Sequence, residues 1–105
     1  MPEPVVVTAV FIPAQGRKRQ LVDALAVAIA EVHEESGCVF YALHDAEDGT
    51  IVMIEKWDSA EQLAAHAAGD AVARLDASIA EFIAEQPVVT TMAPLPAGTA
   101  MQGQL

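Results

Sequence analysis

Two short runs, Val5 to Ile12 and Ile51 to Ile54, are apolar at both odd and even positions. Side chains alternate between the faces of a strand. In the first run Val5, Val7, Ala9 and Phe11 therefore point one way and Val6, Val10 and Ile12 the other, while Ile51 and Met53 oppose Val52 and Ile54. A sheet built on such strands has two apolar faces, and a chain of 105 residues carries helices enough to cover one of them. The other would be too large an apolar patch for a monomer in water. The pattern predicts a homodimer, sheet against sheet about a two-fold axis.

The remaining punctuation sets the order of elements. Pro4 and Pro13 bound the first strand. Leu21, Leu25, Ala28, Ile29 and Val32 then recur at helical spacing, which predicts a helix from about Arg17 to Glu35 with Gly37 as its stop. Cys38 to His44 reads as a second strand, and Asp48-Gly49 turns the chain back into a third over Thr50 to Trp57. Asp58 or Ser59 caps a short helix to about Ala68, and Gly69-Asp70 breaks and recaps it. Val72, Leu75, Ile79, Phe82 and Ile83 continue an amphipathic stripe that stops before Pro87, and Val88 to Met92 makes a last strand. The order β, α, β, β, α, β is the split βαβ pattern of ferredoxin-like α+β folds, an antiparallel sheet with its helices on one face. Residues 1–95 form the single expected domain, and 96–105 an extended or mobile tail, or an arm laid on a partner.

A formal net charge of −10 excludes the usual electrostatics of nucleic-acid and anionic membrane binding. Arg17, Lys18 and Arg19 form the one basic cluster, at a helix start. The first apolar run is short and β-branched, without a basic leader. Cys38 stands alone in an apolar run and calls for no oxidising compartment. A soluble, cytoplasmic protein is expected.

Candidate chemistry gathers between Thr50 and His66. Glu55 and Trp57 share a strand face and Lys56 takes the other. A carboxylate beside an indole can orient a ligand or act as a base with a raised pKa. Equally, Trp57 can be core and Glu55 paired with a nearby donor. His66, three residues after Leu63, lies on the inner or flanking side of its helix, as a base, a pocket wall or a partner of a backbone carbonyl. In the second strand His44 shares its face with Phe40 and Ala42, opposite Tyr41 and Leu43, and parity does not say which face meets the helices. His33 sits late in the first helix among glutamates, where partial positive charge is favourable. His33, His44, His66 and Cys38 lack close metal-ligand spacing, so no metal is expected. No phosphate loop, nucleophile elbow or CxxC occurs.

Ser36-Gly37-Cys38, Tyr41, the run Ile51 to Ser59 and Leu63-Ala64-Ala65-His66 together resemble the antibiotic biosynthesis monooxygenase family, in particular its small quinol monooxygenases. The resemblance spans roughly Val5 to Leu95, with Glu-x-Trp-x-Ser and the following Leu-x-x-His its most specific part. It implies a dimeric α+β barrel and a cofactor-independent oxidation of an aromatic quinol or polyketide-like phenol by dioxygen. In that reading His66, Trp57 and Glu55 are the catalytic candidates, and Tyr41, His44, Phe40, Met53 and Leu63 line the substrate. The chain has no asparagine, which members of the family that degrade haem, and some that oxidise polyketides, use in the pocket. A non-catalytic ligand-binding dimer, or an isomerase of a small phosphorylated compound, is the alternative the resemblance leaves open.

Overall fold

The computed structural model describes residues 3–105. Its elements are β1 (Val5–Phe11), α1 (Lys18–Val32), β2 (Cys38–Asp45), β3 (Ile51–Trp57), α2 (Ala60–Ala67), α3 (Asp70–Ile79) and β4 (Val88–Met92). The four strands pair antiparallel in the order β2-β3-β1-β4. This is the ferredoxin-like α+β fold that the element order predicts.

Register assigns the faces. Val7 pairs with Glu55 and Ala9 with Met53, and across β3 Tyr41 also pairs with Glu55. One face therefore presents Val7, Ala9, Phe11, Tyr41, Ile51, Met53, Glu55 and Trp57, and its apolar members form the core with Leu21, Leu25 and Val32 of α1 and Leu75 and Ile79 of α3. The opposite face presents Val6, Val10, Phe40, Ala42, His44, Val52, Ile54 and Lys56, with Val88 and Met92 from β4. Both helical layers lie on the first face. Among the described residues no helix is long and apolar enough to cross a membrane.

The differences from expectation have local causes. The first helix ends at Val32 rather than Glu35, because Glu34 and Glu35 close tighter three-residue bonds to Glu31 and Val32 before Gly37 reverses the chain. The last helix ends at Ile79 with a single 3₁₀ turn, Ala80–Phe82, short of Pro87. Ile83 instead bridges Pro13, with the Ala14 and Ala84 amides donating to Phe82 and Ile12 carbonyls at 2.8 Å each, so the end of β1 finds backbone partners. Ser59 is the helix cap, its hydroxyl accepting from the Gln62 amide at 3.2 Å. Asp48 closes the β2–β3 turn by accepting from the Thr50 amide and hydroxyl. Beyond β4, Thr99 anchors a turn, and Lys56 donates to the Leu105 carbonyl.

One junction positions the site. Gly37 has φ +84° and its carbonyl accepts from the Asp58 amide at 2.9 Å, tying the α1–β2 turn to the β3–α2 turn. A Cβ there would lie 2.3 Å from Gln62 Cδ and 2.8 Å from its Cβ. Gly37→Ala is expected to lose about 1–3 kcal/mol in urea unfolding, from left-handed strain together with the clash. Adding Gln62→Ala removes the contact with Cδ but keeps the one with Cβ, and is expected to recover only part of the clash. Full recovery in the double variant would show that the backbone angle carries no strain.

A buried Tyr41-Glu55-His66 cluster beneath α2

β3 delivers Glu55 and Trp57 to the helix-facing side two residues apart, and the indole Nε1–H donates to Glu55 Oε1 at 3.0 Å. Ser59 starts α2 at once, so His66 falls back over the same strand end. The Trp57 and His66 rings lie 4.5 Å apart, tilted by 31°, and the Tyr41 ring meets His66 edge-on at 5.4 Å. All four side chains are buried: Trp57 is 0% exposed, Tyr41 4%, Glu55 5% and His66 5%.

The Nδ1–H of His66 donates to the Glu35 carboxylate, at 3.0 and 3.1 Å to its two oxygens. Glu35 comes from the turn that Gly37 shapes. A carboxylate only accepts, so this contact assigns a proton to Nδ1, and in the neutral imidazole the lone pair then belongs to Nε2. Among the described residues no protein group bonds to His66 Nε2, Tyr41 Oη or Glu55 Oε2, yet no buried polar side-chain atom is left unsatisfied. Each of the three atoms must therefore keep open surface, and all three residues line a cavity of about 330 Å³.

That cavity runs between the sheet and the helices. Val7, Ala9, Phe11, Val89 and Thr91 form its sheet side, and Leu63, Ala67, Val72, Leu75 and Asp76 its helix side. Its inner end is polar, with an acceptor nitrogen, a phenol and a carboxyl converging inside apolar walls. Burial pushes the Glu55 carboxyl upward against the lowering effect of Trp57 and His66. Burial also raises the Tyr41 hydroxyl well above its ordinary value, with Glu55, Glu35 and Asp76 adding to the shift. Such a site can take a proton at His66 Nε2, pass the resulting charge to the Glu35 pair, and offer hydrogen bonds from Tyr41 and, when protonated, from Glu55. Among the described residues no group of three or more His, Cys, Asp or Glu could hold a metal ion.

The sequence-derived candidates separate by position. His66, Glu55, Tyr41 and Leu63 line the cavity together. Trp57 stands behind the wall, where it holds Glu55 and backs His66. Met53 is fully buried in the core. Phe40 and His44 occupy the opposite sheet face, where His44 Nδ1 meets the Val52 carbonyl at 3.3 Å. His33 is exposed, and its Nε2 lies 3.1 Å from the Tyr41 carbonyl. Glu35 and Asp76 were not among the candidates. Asp76 falls four residues after Val72 and so on the cavity side of α3, a signal available in the sequence; Glu35 lies in a run of helix-end acids with nothing to mark it.

Residues 4–77 match the family model for antibiotic biosynthesis monooxygenase. The Mycobacterium tuberculosis protein named "Putative monooxygenase Rv0793" is 32% identical over 99 residues, which cover 90% of this chain and 95% of that protein. Its solved structure superposes with a TM-score of 0.83 at 28% identity, over 92% of this chain and 100% of that one. The crystal structure of SO0527 from Shewanella oneidensis gives a TM-score of 0.78 at 26% identity, covering 88% and 91%. PA3566 from Pseudomonas aeruginosa shares the fold, with a TM-score of 0.80 at 23% identity, covering 90% and 97%.

The raised Glu55 pKa has a consequence for stability. A carboxyl whose folded pKa lies above its unfolded one favours the fold while protonated, and loses that contribution as pH rises through the folded value. Glu55→Gln keeps an oxygen for the Trp57 indole but does not ionise. The variant's stability relative to the parent is expected to climb as pH rises from about 5 to about 8 in urea titrations. A gap independent of pH would mean that Glu55 titrates at its ordinary value.

Proposed function

The chain belongs to the antibiotic biosynthesis monooxygenase family, and from that premise we propose that it oxidises an aromatic quinol or polyketide-like phenol with dioxygen, without a bound cofactor. The observation that carries the reading is the His66–Glu35 pair. It aims an acceptor nitrogen into an apolar cavity beside two further polar groups. His66 Nε2 takes the phenolic proton, and Glu35 steadies the imidazolium that forms. Tyr41 and Glu55 meet the phenolate oxygen, whose negative charge raises the Glu55 carboxyl further and favours a shared proton. Trp57 keeps Glu55 in place, and Leu63 covers the ring.

The electron-rich phenolate then reduces dioxygen itself. A ring CH₂ of the keto tautomer becomes C=O, one oxygen atom enters the product and the other leaves as water. The substrate thus supplies all four electrons and no external reductant takes part. Apolar walls keep bulk water from the anion. An isomerase of a phosphorylated compound finds less support, since among the described residues the cavity is lined by two carboxylates and no Lys or Arg.

The working unit in this reading is a homodimer in the cytoplasm. Val10, Val52, Ile54 and Phe40, half-buried in the single chain, leave the sheet's second face apolar, and a second copy would cover it. The dimer is expected to sediment as a monomer after Ile54→Lys, with far-UV circular dichroism unchanged; a parent protein that sediments as a monomer at micromolar concentration would sink the assembly.

Oxygen uptake above autoxidation, with 1,8-dihydroxyanthrone as the probe in chelator-treated buffer, tests the reaction. His66→Ala is expected to lower kcat by about 10²–10⁴-fold, and Glu35→Gln to lower it less while shifting the pH profile. Uptake equal in the parent and His66→Ala proteins would overturn the assignment. Tight probe binding without uptake would leave a ligand-binding protein of the same fold.

A further inference from the structure

The cavity's two ends carry charge of one sign. Glu55 sits at the inner end, 5% exposed, with Glu35 behind His66. Asp76, on α3, is exposed at the rim and still lines the cavity. Among the described residues the Asp76 carboxylate has no ion-pair partner. Among the described residues no Lys or Arg lines the space, and three of the chain's five Lys and Arg residues are engaged elsewhere. Arg74, two residues before it, pairs with Glu31 on the flank toward α1. Lys18 pairs with Asp45 at 2.5 Å, and Lys56 holds the Leu105 carbonyl from the other sheet face. Glu55 and Asp76 line the same cavity as Tyr41, whose hydroxyl is raised by burial first and then by Glu55, Glu35 and Asp76.

This is a built site, because Tyr41 and Glu55 are buried side chains that line it, and among the described residues Tyr41 Oη and Glu55 Oε2 have no protein partner and keep open surface. The inner polar groups suit the reacting hydroxyl. Among the described residues the rim, apolar apart from Thr91 and Asp76, has a carboxylate as its only charge. A net charge of −10 on the chain draws cations and repels anions on approach.

We propose that the substrate is a phenol bearing a protonated amine at the end distant from its reacting hydroxyl, and that Asp76 is the residue that selects it. The proposal rests on the reading of the Tyr41-Glu55-His66 cavity as an aromatic site and refines its substrate class. A phenolate formed at the inner end and an ammonium at the rim make the bound ligand a zwitterion, each end facing groups that stabilise it. Carboxylated or phosphorylated analogues would put an anion beside Asp76.

The test is anaerobic calorimetric titration of the full chain with three matched 1-naphthols that carry an aminomethyl, a hydroxymethyl or a carboxylate group at position 5. The amine is expected to bind about fivefold tighter than the alcohol, and the carboxylate about fivefold weaker, at low salt, the range of a partly exposed ion pair. Both differences should shrink toward unity in concentrated salt. Asp76→Asn should erase the amine's advantage and Asp76→Lys should transfer it to the carboxylate, with circular dichroism unchanged because Asp76 is exposed. Equal affinities for the three naphthols would overturn the amine assignment while leaving the aromatic site standing. An amine preference that persists in Asp76→Asn would overturn the role of Asp76. If none of the three binds, the aromatic reading of the cavity falls, and the amine proposal with it.

Discussion

A carboxyl placed inside an apolar core has to be answered by something, and Glu55 is placed at the centre of the sheet, opposite Val7 on one side and Tyr41 on the other. Leaving such a group unmatched costs more than the fold of a small domain can spare. The surroundings answer it twice. Trp57 supplies a hydrogen bond from the same strand face, and a cavity gives the second oxygen open surface. The cavity is therefore bound up with the position of Glu55, and with it the space in which a ligand can sit.

His66 completes that space by a longer route. α2 is a helix of eight residues with one buried side chain, His66 itself. What orients the imidazole is Glu35, which is 31 residues away in the chain and arrives on a turn whose glycine allows two loops to touch. Ser36, Gln62 and Ser59 extend the same junction through hydrogen bonds of 3.1–3.2 Å. The tautomer of the candidate base thus depends on backbone geometry at Gly37, a coupling between fold and chemistry that neither residue type announces.

The two faces of the sheet divide the molecule's tasks. The helix-facing side holds the core and the cavity, whereas the other side keeps Phe40, His44, Val52 and Ile54 away from both. A strand residue moved by one position changes sides entirely, which is why Tyr41 lines the cavity and Phe40 does not. The bulge at Val39, where the pairing of Cys38 and Phe40 with β3 shifts register, sets that choice for β2.

Period and punctuation in the sequence determined the element order, the strand pairing through Asp48-Gly49, a helix cap at Asp58 or Ser59 and the split βαβ fold, because these depend on neighbours within a few residues. The shared face of Glu55 and Trp57 was legible for the same reason. Tertiary structure alone decided that Tyr41 rather than Phe40 and His44 faces the helices, that Trp57 stands behind Glu55 rather than in the cavity wall, and that Glu35 holds His66. Each of these turns on register across strands or on a contact between distant turns, and local periodicity carries no information about which distant residue arrives.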